Sequence, residues 1–161
     1  MARKKRRNKA KVEMPVSYLM EITGYEWEYH FGLNGTVRNK DDPYVEYRHL
    51  TVLGRLLHPS DITLEEMRIT FIPEVEMEEE NRQGFKPTGF GHLGLREELI
   101  DGIFGMPMSA LPPVLTGLAG GHHRYVDFYG KQRRYRKAEV RSYRFMAAFE
   151  PEDYETELLR T

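Results

Sequence analysis

The chain is 161 residues long, with 40% hydrophobic, 12% aromatic and 30% charged residues and a mean hydropathy of -0.64. That composition describes one globular domain with a core of its own, and it excludes collagenous, wholly disordered and helical membrane-spanning chains. The absence of cysteine removes disulfide frameworks, thiol nucleophiles, Cys-ligated zinc and iron–sulfur clusters. The expected address is cytoplasmic, because the basic N-terminus leads into no apolar signal segment.

The formal net charge of -1 hides an uneven distribution. Arg3, Lys4, Lys5, Arg6, Arg7, Lys9 and Lys11 fall within the first 12 residues without an acid, which leaves 17 bases against 25 acids, so a +7 arm precedes a body at -8. Mutual repulsion and the lack of apolar residues predict a flexible arm over 1–13, a β-rich domain over 14–150 and an acidic tail over 151–161.

Tyr25, Trp27, Tyr29 and Phe31 alternate with Glu26, Glu28 and His30, the period of a half-buried strand whose rings are expected in the core. Asn34-Gly35 signals a turn, lengthened by the polar stretch up to Pro43. A second strand follows over 44–57, with Gly54 marking a bulge, and His58-Pro59-Ser60-Asp61 ends it. Met67, Ile69 and Phe71 alternate with Arg68 and Thr70 as a third strand, stopped by Pro73. The acidic run beyond it enters a loop through Gly84, Pro87 and Gly89. Short strands over 92–96 and 102–106 flank a turn containing Glu97, Glu98 and Asp101. Leu111, Val114, Leu115 and Leu118 fall at i, i+3, i+4 and i+7, which predicts a helix over 110–119. Ser109 is expected to cap it, Pro112 and Pro113 to occupy its first turn, and Gly120-Gly121 to stop it. Strands over 125–129 and 138–147 form a hairpin around the basic connection 130–137, and 152–160 can add one or two helical turns. These elements predict a mainly β fold: a small antiparallel sandwich or partly open barrel with one short inserted helix near 110–119.

Motifs for chemistry are weak. Gly89-Phe90-Gly91-His92-Leu93-Gly94 matches G-x-G-x-x-G, but no strand-to-helix context surrounds it, so no dinucleotide cofactor is expected. His122 and His123 are adjacent and would point to opposite faces of a strand. A joint metal site would need a third ligand from His30, His49, His58, His92 or an acid, so none is expected. Ser17, Ser60, Ser109 and Ser142 lie in no nucleophile elbow, and Glu78, Glu79 and Glu80 look like a solvated loop. No catalytic residue or cofactor is assigned.

Charge is more telling. Arg133, Arg134, Arg136, Lys137, Arg141 and Arg144 interleave with Tyr135, Tyr143 and Phe145, combining the cations and rings that nucleic-acid platforms use. The same hairpin could instead pair with the seven acids of 65–80, within one chain or between copies. The leading expectation is a non-catalytic interaction module that self-associates or docks to a protein through segregated acidic and basic surfaces, an association that added salt should loosen. The alternatives are a nucleic-acid-binding protein using Arg3, Lys4, Lys5, Arg6 and Arg7 of the arm with Arg133, Arg134, Arg136, Lys137 and Arg141 of the hairpin, and a small-ligand-binding or enzymatic β domain. No membrane partner is expected.

Overall fold

The computed structural model describes residues 15–33, 43–84 and 90–155. Seven strands alternate with short connections: β1 (Pro15–Leu33), β2 (Tyr44–His58), β3 (Glu66–Glu74), β4 (Gly91–Leu95), β5 (Ile100–Pro107), β6 (Tyr125–Lys131) and β7 (Lys137–Met146). The helix α1 (Leu111–Ala119) separates β5 from β6, and a single helical turn, α2 (Glu152–Glu155), follows β7. The strands close into a barrel in the order β1-β2-β3-β5-β4-β7-β6, so the mainly β expectation holds and the barrel is fully closed. No helix among the described residues is long and apolar enough to cross a membrane.

Every neighbouring pair is antiparallel except β3 and β5, which run parallel from Met67↔Ile100 to Glu74↔Pro107. The chain leaves β3 through two 3-10 turns (Val75–Met77 and Glu79–Gly84), and β4 then descends one position further round the barrel. The β4–β5 hairpin brings β5 back up into the gap between β3 and β4. This arrangement explains why Pro73 does not stop β3 as predicted. Pairing with β2 ends at Leu50↔Phe71, so Pro73 lies where one edge of the strand has no partner needing its missing N–H.

Inward-pointing residues alternate along each strand and fill the barrel. Val52, Ile69, Phe71, Leu93, Phe104, Val126, Phe128 and Ala138 are fully buried. Their centre is a stack of rings, with centroids 6.0 Å apart for Phe71 and Phe104 and 5.2 Å for Phe104 and Phe128. Tyr143 adds an edge-on contact to Phe71 at 4.9 Å while its hydroxyl donates to the Gly105 carbonyl at 3.0 Å. Burial pushes the Tyr143 phenol up to about 12.

Helix α1 closes the end of the barrel where β5 leaves and β6 enters. Leu111 and Leu118 are buried in the common core, with Val114 and Leu115 packed against it, which is the face the heptad-like spacing predicted. Pro112 and Pro113 stand in its first turn. At the other end the Gly120 amide donates to Thr116 O at 2.9 Å and the Gly121 amide to Leu118 O at 3.1 Å. Gly121 has φ 69, the left-handed conformation for which a residue without Cβ is favoured at a helix end. Ser109 is not the cap. A 3-10 turn (Met108–Ala110) precedes the helix, and the Ser109 hydroxyl donates instead to Glu78 Oε2 at 2.8 Å.

Two further expectations change. The irregularity anticipated at Gly54 lies on the opposite strand, where the β1 register slips between Ile22 and Gly24. A Cβ on Gly54 would stand 2.3 Å from the Glu21 carbonyl oxygen, so glycine permits this close approach. The ring-bearing face of β1 is also not core. Strand β6 pairs only with Pro15–Glu21 of β1, and β3 only with Leu50–Arg55 of β2. Beyond those points β1 and β2 pair with each other alone, out to Leu33↔Tyr44, as a two-stranded ribbon projecting past the helix end. Its rings have no barrel interior to enter.

Candidate functional site

Three features carry exposed or unsatisfied chemistry. The first is the basic turn between β6 and β7, at the end of the barrel opposite α1. Arg133, Arg134, Arg136 and Lys137 are brought together there and all are exposed. Arg134 and Lys137 exchange backbone hydrogen bonds at 2.8 and 3.1 Å, so the tip of the turn is Tyr135, fully exposed with φ 57. Arg141 is set apart from this group. It is the extra residue of a bulge, since Tyr129 pairs with Ser142 and Gly130 with Val140. Tyr143 and Phe145 pack against the core, so Tyr135 is the one ring of the basic hairpin's three that is free to stack. Arg3, Lys4, Lys5, Arg6 and Arg7 lie outside the described residues.

In the ion pairs described, the hairpin does not meet the acidic segment of its own body. Strands β5 and β4 stand between β3 and β7. The ion pairs described for the hairpin run from Arg133 to Asp61 at 3.6 Å, Lys131 to Glu139 at 2.7 Å and Arg144 to Asp127 at 3.1 Å. None of these acids belongs to 65–80.

The second feature is the ribbon. Directly paired residues of antiparallel strands share a face, so Trp27, Tyr29, Phe31 and Leu33 of β1 lie on one side together with Arg48 and Glu46 of β2. Exposure rises outward along that face, from 38% at Trp27 through 55% at Tyr29 and 57% at Phe31 to 75% at Leu33. Arg48 ties the inner end to the barrel: its Nη1 donates to Met108 Sδ at 2.8 Å, and its guanidinium lies 5.8 Å from the Tyr29 ring centroid. On the other side Tyr47 stacks on His30 at 4.8 Å and on His49 at 5.8 Å. The Tyr47 hydroxyl donates to Glu28 Oε1 at 3.2 Å, and that bond to an anion holds the phenol proton and raises its pKa.

The third feature was not singled out from sequence. Asp127 is 4% exposed, although it lies on the outward face of β6 between the inward Val126 and Phe128. The segment after β7 folds back along the outside of the barrel and covers it. Tyr154 of α2 is buried, with its ring 5.5 Å from His58 and 5.6 Å from Phe149. Arg144 Nε donates to Asp127 Oδ2 at 3.1 Å, whereas Asp127 Oδ1 and the Tyr154 hydroxyl are buried without a hydrogen-bond partner. Desolvation pushes the Asp127 carboxyl above the usual carboxylate range, with Arg144 and the hydroxyls of Ser17 and Tyr154 pulling the other way. The signal available in the sequence was one acid inside the apolar run of 125–129; its cover arrives from Tyr154, a residue that only the tertiary fold brings near.

The remaining motif residues are structural. Gly91 to Gly94 belong to β4, a strand hydrogen-bonded on both sides, and β5 follows it where a nucleotide-binding loop would need a helix. The His123 ring lies 5.4 Å from Phe145, and burial, with the neighbouring His122 charge, lowers its pKa. His30 and His49 are on the ribbon. Among the described residues no group of three His, Asp or Glu side chains is placed to hold a metal ion. No family model, curated protein or solved structure matches the chain.

Proposed function

We propose that the chain is a non-catalytic interaction module that self-associates through its projecting ribbon. One observation carries the reading: a run of large apolar side chains that grows more exposed along a two-stranded ribbon, on strands whose outer edges have no partner among the described residues. Exposed ring patches and open strand edges are both characteristic of surfaces that meet another chain.

The β1 sequence suits a second copy of itself. Antiparallel pairing about a two-fold axis at Tyr29 sets Trp27 opposite Phe31 and Tyr25 opposite Leu33, all on one face. On the other face Glu28 meets His30 and Glu26 meets Gly32. A two-fold at Glu28 would instead place Glu28 against Glu28, and like charges directly opposite are unfavourable. Five half-exposed side chains of about 200 Å² each offer about 500 Å² per copy. The total of about 1,000 Å² stands at the lower bound of a specific interface, so the expected dimer is concentration-dependent.

Sedimentation velocity over a concentration series, at 0.1 M and 1 M salt, tests this against the charge-driven association expected from sequence. Ribbon pairing predicts a dimer that persists at 1 M salt and is lost in Phe31→Glu, with far-UV circular dichroism unchanged. A monomer at all concentrations refutes self-association. A dimer indifferent to Phe31→Glu that dissolves in salt returns the interface to the acidic and basic surfaces.

A second reading rests on Tyr135. A fully exposed ring in the left-handed region, flanked by Arg133, Arg134, Arg136 and Lys137, offers stacking beside phosphate-neutralising charge. Fluorescence anisotropy with a single-stranded oligonucleotide tests it. Tyr135→Ala should weaken binding about tenfold if a base stacks there, and no binding at low salt removes this reading.

A further inference from the structure

Beneath α2, on the outside of the barrel, a cavity of about 430 Å³ opens between β1, β6, β7 and the C-terminal segment. Ser17, Asp127, Ser142, Arg144, Asp153 and Tyr154 supply its polar lining. These residues come from four parts of the chain, and the strand register sets three of them: Asp127 pairs with Arg144, and Tyr129 pairs with both Ser17 and Ser142. The cavity is therefore fixed by the barrel itself on one side and by a single helical turn on the other.

Its polar atoms are incompletely used. The Asp127 side chain is 5% exposed and gives only Oδ2 to Arg144, leaving Oδ1 buried as a lone acceptor. The buried Tyr154 hydroxyl makes no hydrogen bond of ordinary geometry either, although Arg144 and Asp127 both act on it electrostatically. Such atoms are uncommon in folded proteins and point to an occupant. Arg144 pairs with Asp127 through Oδ2 alone, and the exposed Asp153 adds a second carboxylate to the lining, so the cavity keeps one net negative charge. Around it stand acceptors in several directions: the free carboxylate oxygen, the tyrosine hydroxyl and the serine hydroxyls of Ser17 and Ser142. An occupant that donates in several directions, carries one positive charge and is compact satisfies all of this at once. A primary ammonium group has three N–H donors on a single charged centre, and a charge-assisted bond to a carboxylate is the strongest contact such a lining can offer.

We infer that this cavity binds the primary ammonium group of a small aliphatic amine, with Asp127 Oδ1 as its anchor and the Tyr154 hydroxyl as second acceptor. Helix α2 forms one wall of the site and contributes Tyr154 to it. The inference is independent of the ribbon, which projects past the α1 end of the barrel and shares no residue with the cavity.

Titration of the full chain with ethylammonium chloride, followed by amide chemical shifts, tests it. Tetramethylammonium chloride at equal ionic strength is the control, since it has the charge without N–H donors. Saturable shifts confined to the neighbourhood of Ser17, Asp127, Ser142 and Tyr154 are expected with ethylammonium and not with tetramethylammonium. Asp127→Asn should weaken the apparent affinity at least tenfold. Tyr154→Phe, which keeps the ring against His58 and removes one acceptor, should weaken it several-fold and serves where the first variant fails to fold. A parallel titration with a lysine blocked at both backbone ends distinguishes the source of the amine: tighter binding than ethylammonium assigns the cavity to a lysine side chain of a peptide, weaker binding to a free amine. No saturable shift up to 100 mM, equal shifts with tetramethylammonium, or an affinity unchanged in both variants overturns the proposal. So does a crystal structure grown in ethylammonium in which only water fills the cavity.

Discussion

Truncating Phe104 tests the division between rings that hold the barrel together and rings that face outward. Phe104 is fully buried, with ring centroids 5.2 Å from Phe128, 6.0 Å from Phe71 and Tyr143, and 6.3 Å from Phe90. Two glycines lie against it: a Cβ on Gly91 would fall 2.2 Å from the ring and one on Gly102 2.8 Å from it. Residues without side chains cannot collapse into the void left by Phe104→Ala. The expected loss is therefore toward the upper end of the usual range for Phe truncation, about 4–5 kcal/mol. At this chain length that corresponds to a fall of about 8–20 °C in Tm. Thermal and urea unfolding followed by circular dichroism measure both quantities. Phe31→Ala, truncating a ring on the ribbon, should stay within about 0.5 kcal/mol of the parent. Gly102→Ala alone should cost about 1–3 kcal/mol by overpacking, but in the Phe104→Ala background it should recover part of the loss. A Phe104→Ala loss below about 1.5 kcal/mol, or a Gly102→Ala effect identical in both backgrounds, would refute the assignment of Phe104 as the centre of the packed core.

Tyr143→Phe should cost about 1 kcal/mol through loss of its hydrogen bond to Gly105; spectroscopic titration should show one phenol ionising near 12 in the parent and missing in the variant. Because that folded value is above the unfolded one, its stabilisation is complete below pH 10 and lost as pH rises from about 10 to 12. The same sign applies to Asp127, whose carboxyl is raised by burial: as pH rises through and above the ordinary carboxylate range, the parent should lose stability relative to Asp127→Asn, and a parent that gains stability relative to the variant over that range would contradict this. Tyr135→Gly should leave stability unchanged or raise it by about 1 kcal/mol, since it releases a bulky residue from the left-handed region at the price of chain entropy. Urea unfolding at neutral pH measures the last of these, and a marked loss would mean that the Tyr135 ring packs on the barrel.

Elements governed by their own residues were legible in the sequence. The spacing of Leu111, Val114, Leu115 and Leu118 and the proline and glycine punctuation located α1 because both act within one helix. Strand positions were legible for the same reason. What sequence withheld was decided by neighbours in space. Pro73 reads as a strand end until β5 is known to carry β3 on in parallel past Phe71, where pairing with β2 stops and one edge is left open. Ser109 has the chemistry of a cap, but Glu78, 31 residues away in sequence, takes its hydroxyl and amide. Asp127 is an outward-facing acid of β6 that is buried where Tyr154 is folded back over it. Among the candidate residues, Arg133, Arg134, Arg136 and Lys137 do share one turn because they are contiguous, while the bulge that sets Arg141 apart from them has no local signature.

The ribbon shows why alternation alone cannot separate a core from a surface. Tyr25, Trp27, Tyr29 and Phe31 follow the same period as Met67, Ile69 and Phe71, and period 2 states only which residues share a face. Whether that face is buried depends on how many strands flank it. Phe71 stands where β3 is paired on both sides, with β2 through Leu50 and with β5 through Phe104. Tyr29 stands where β1 has Arg48 of β2 on one side and, among the described residues, no strand on the other. An aromatic face maintained for several residues past the last flanking strand gains nothing from the barrel's own interior. Its folded-state contribution is confined to cross-strand contacts such as Phe31 with Tyr44 at 5.4 Å, which a less apolar pair could also make. The remaining hydrophobic free energy is realised only when another surface covers the face. That is why the ribbon, and not the charged segments, is the interface we propose.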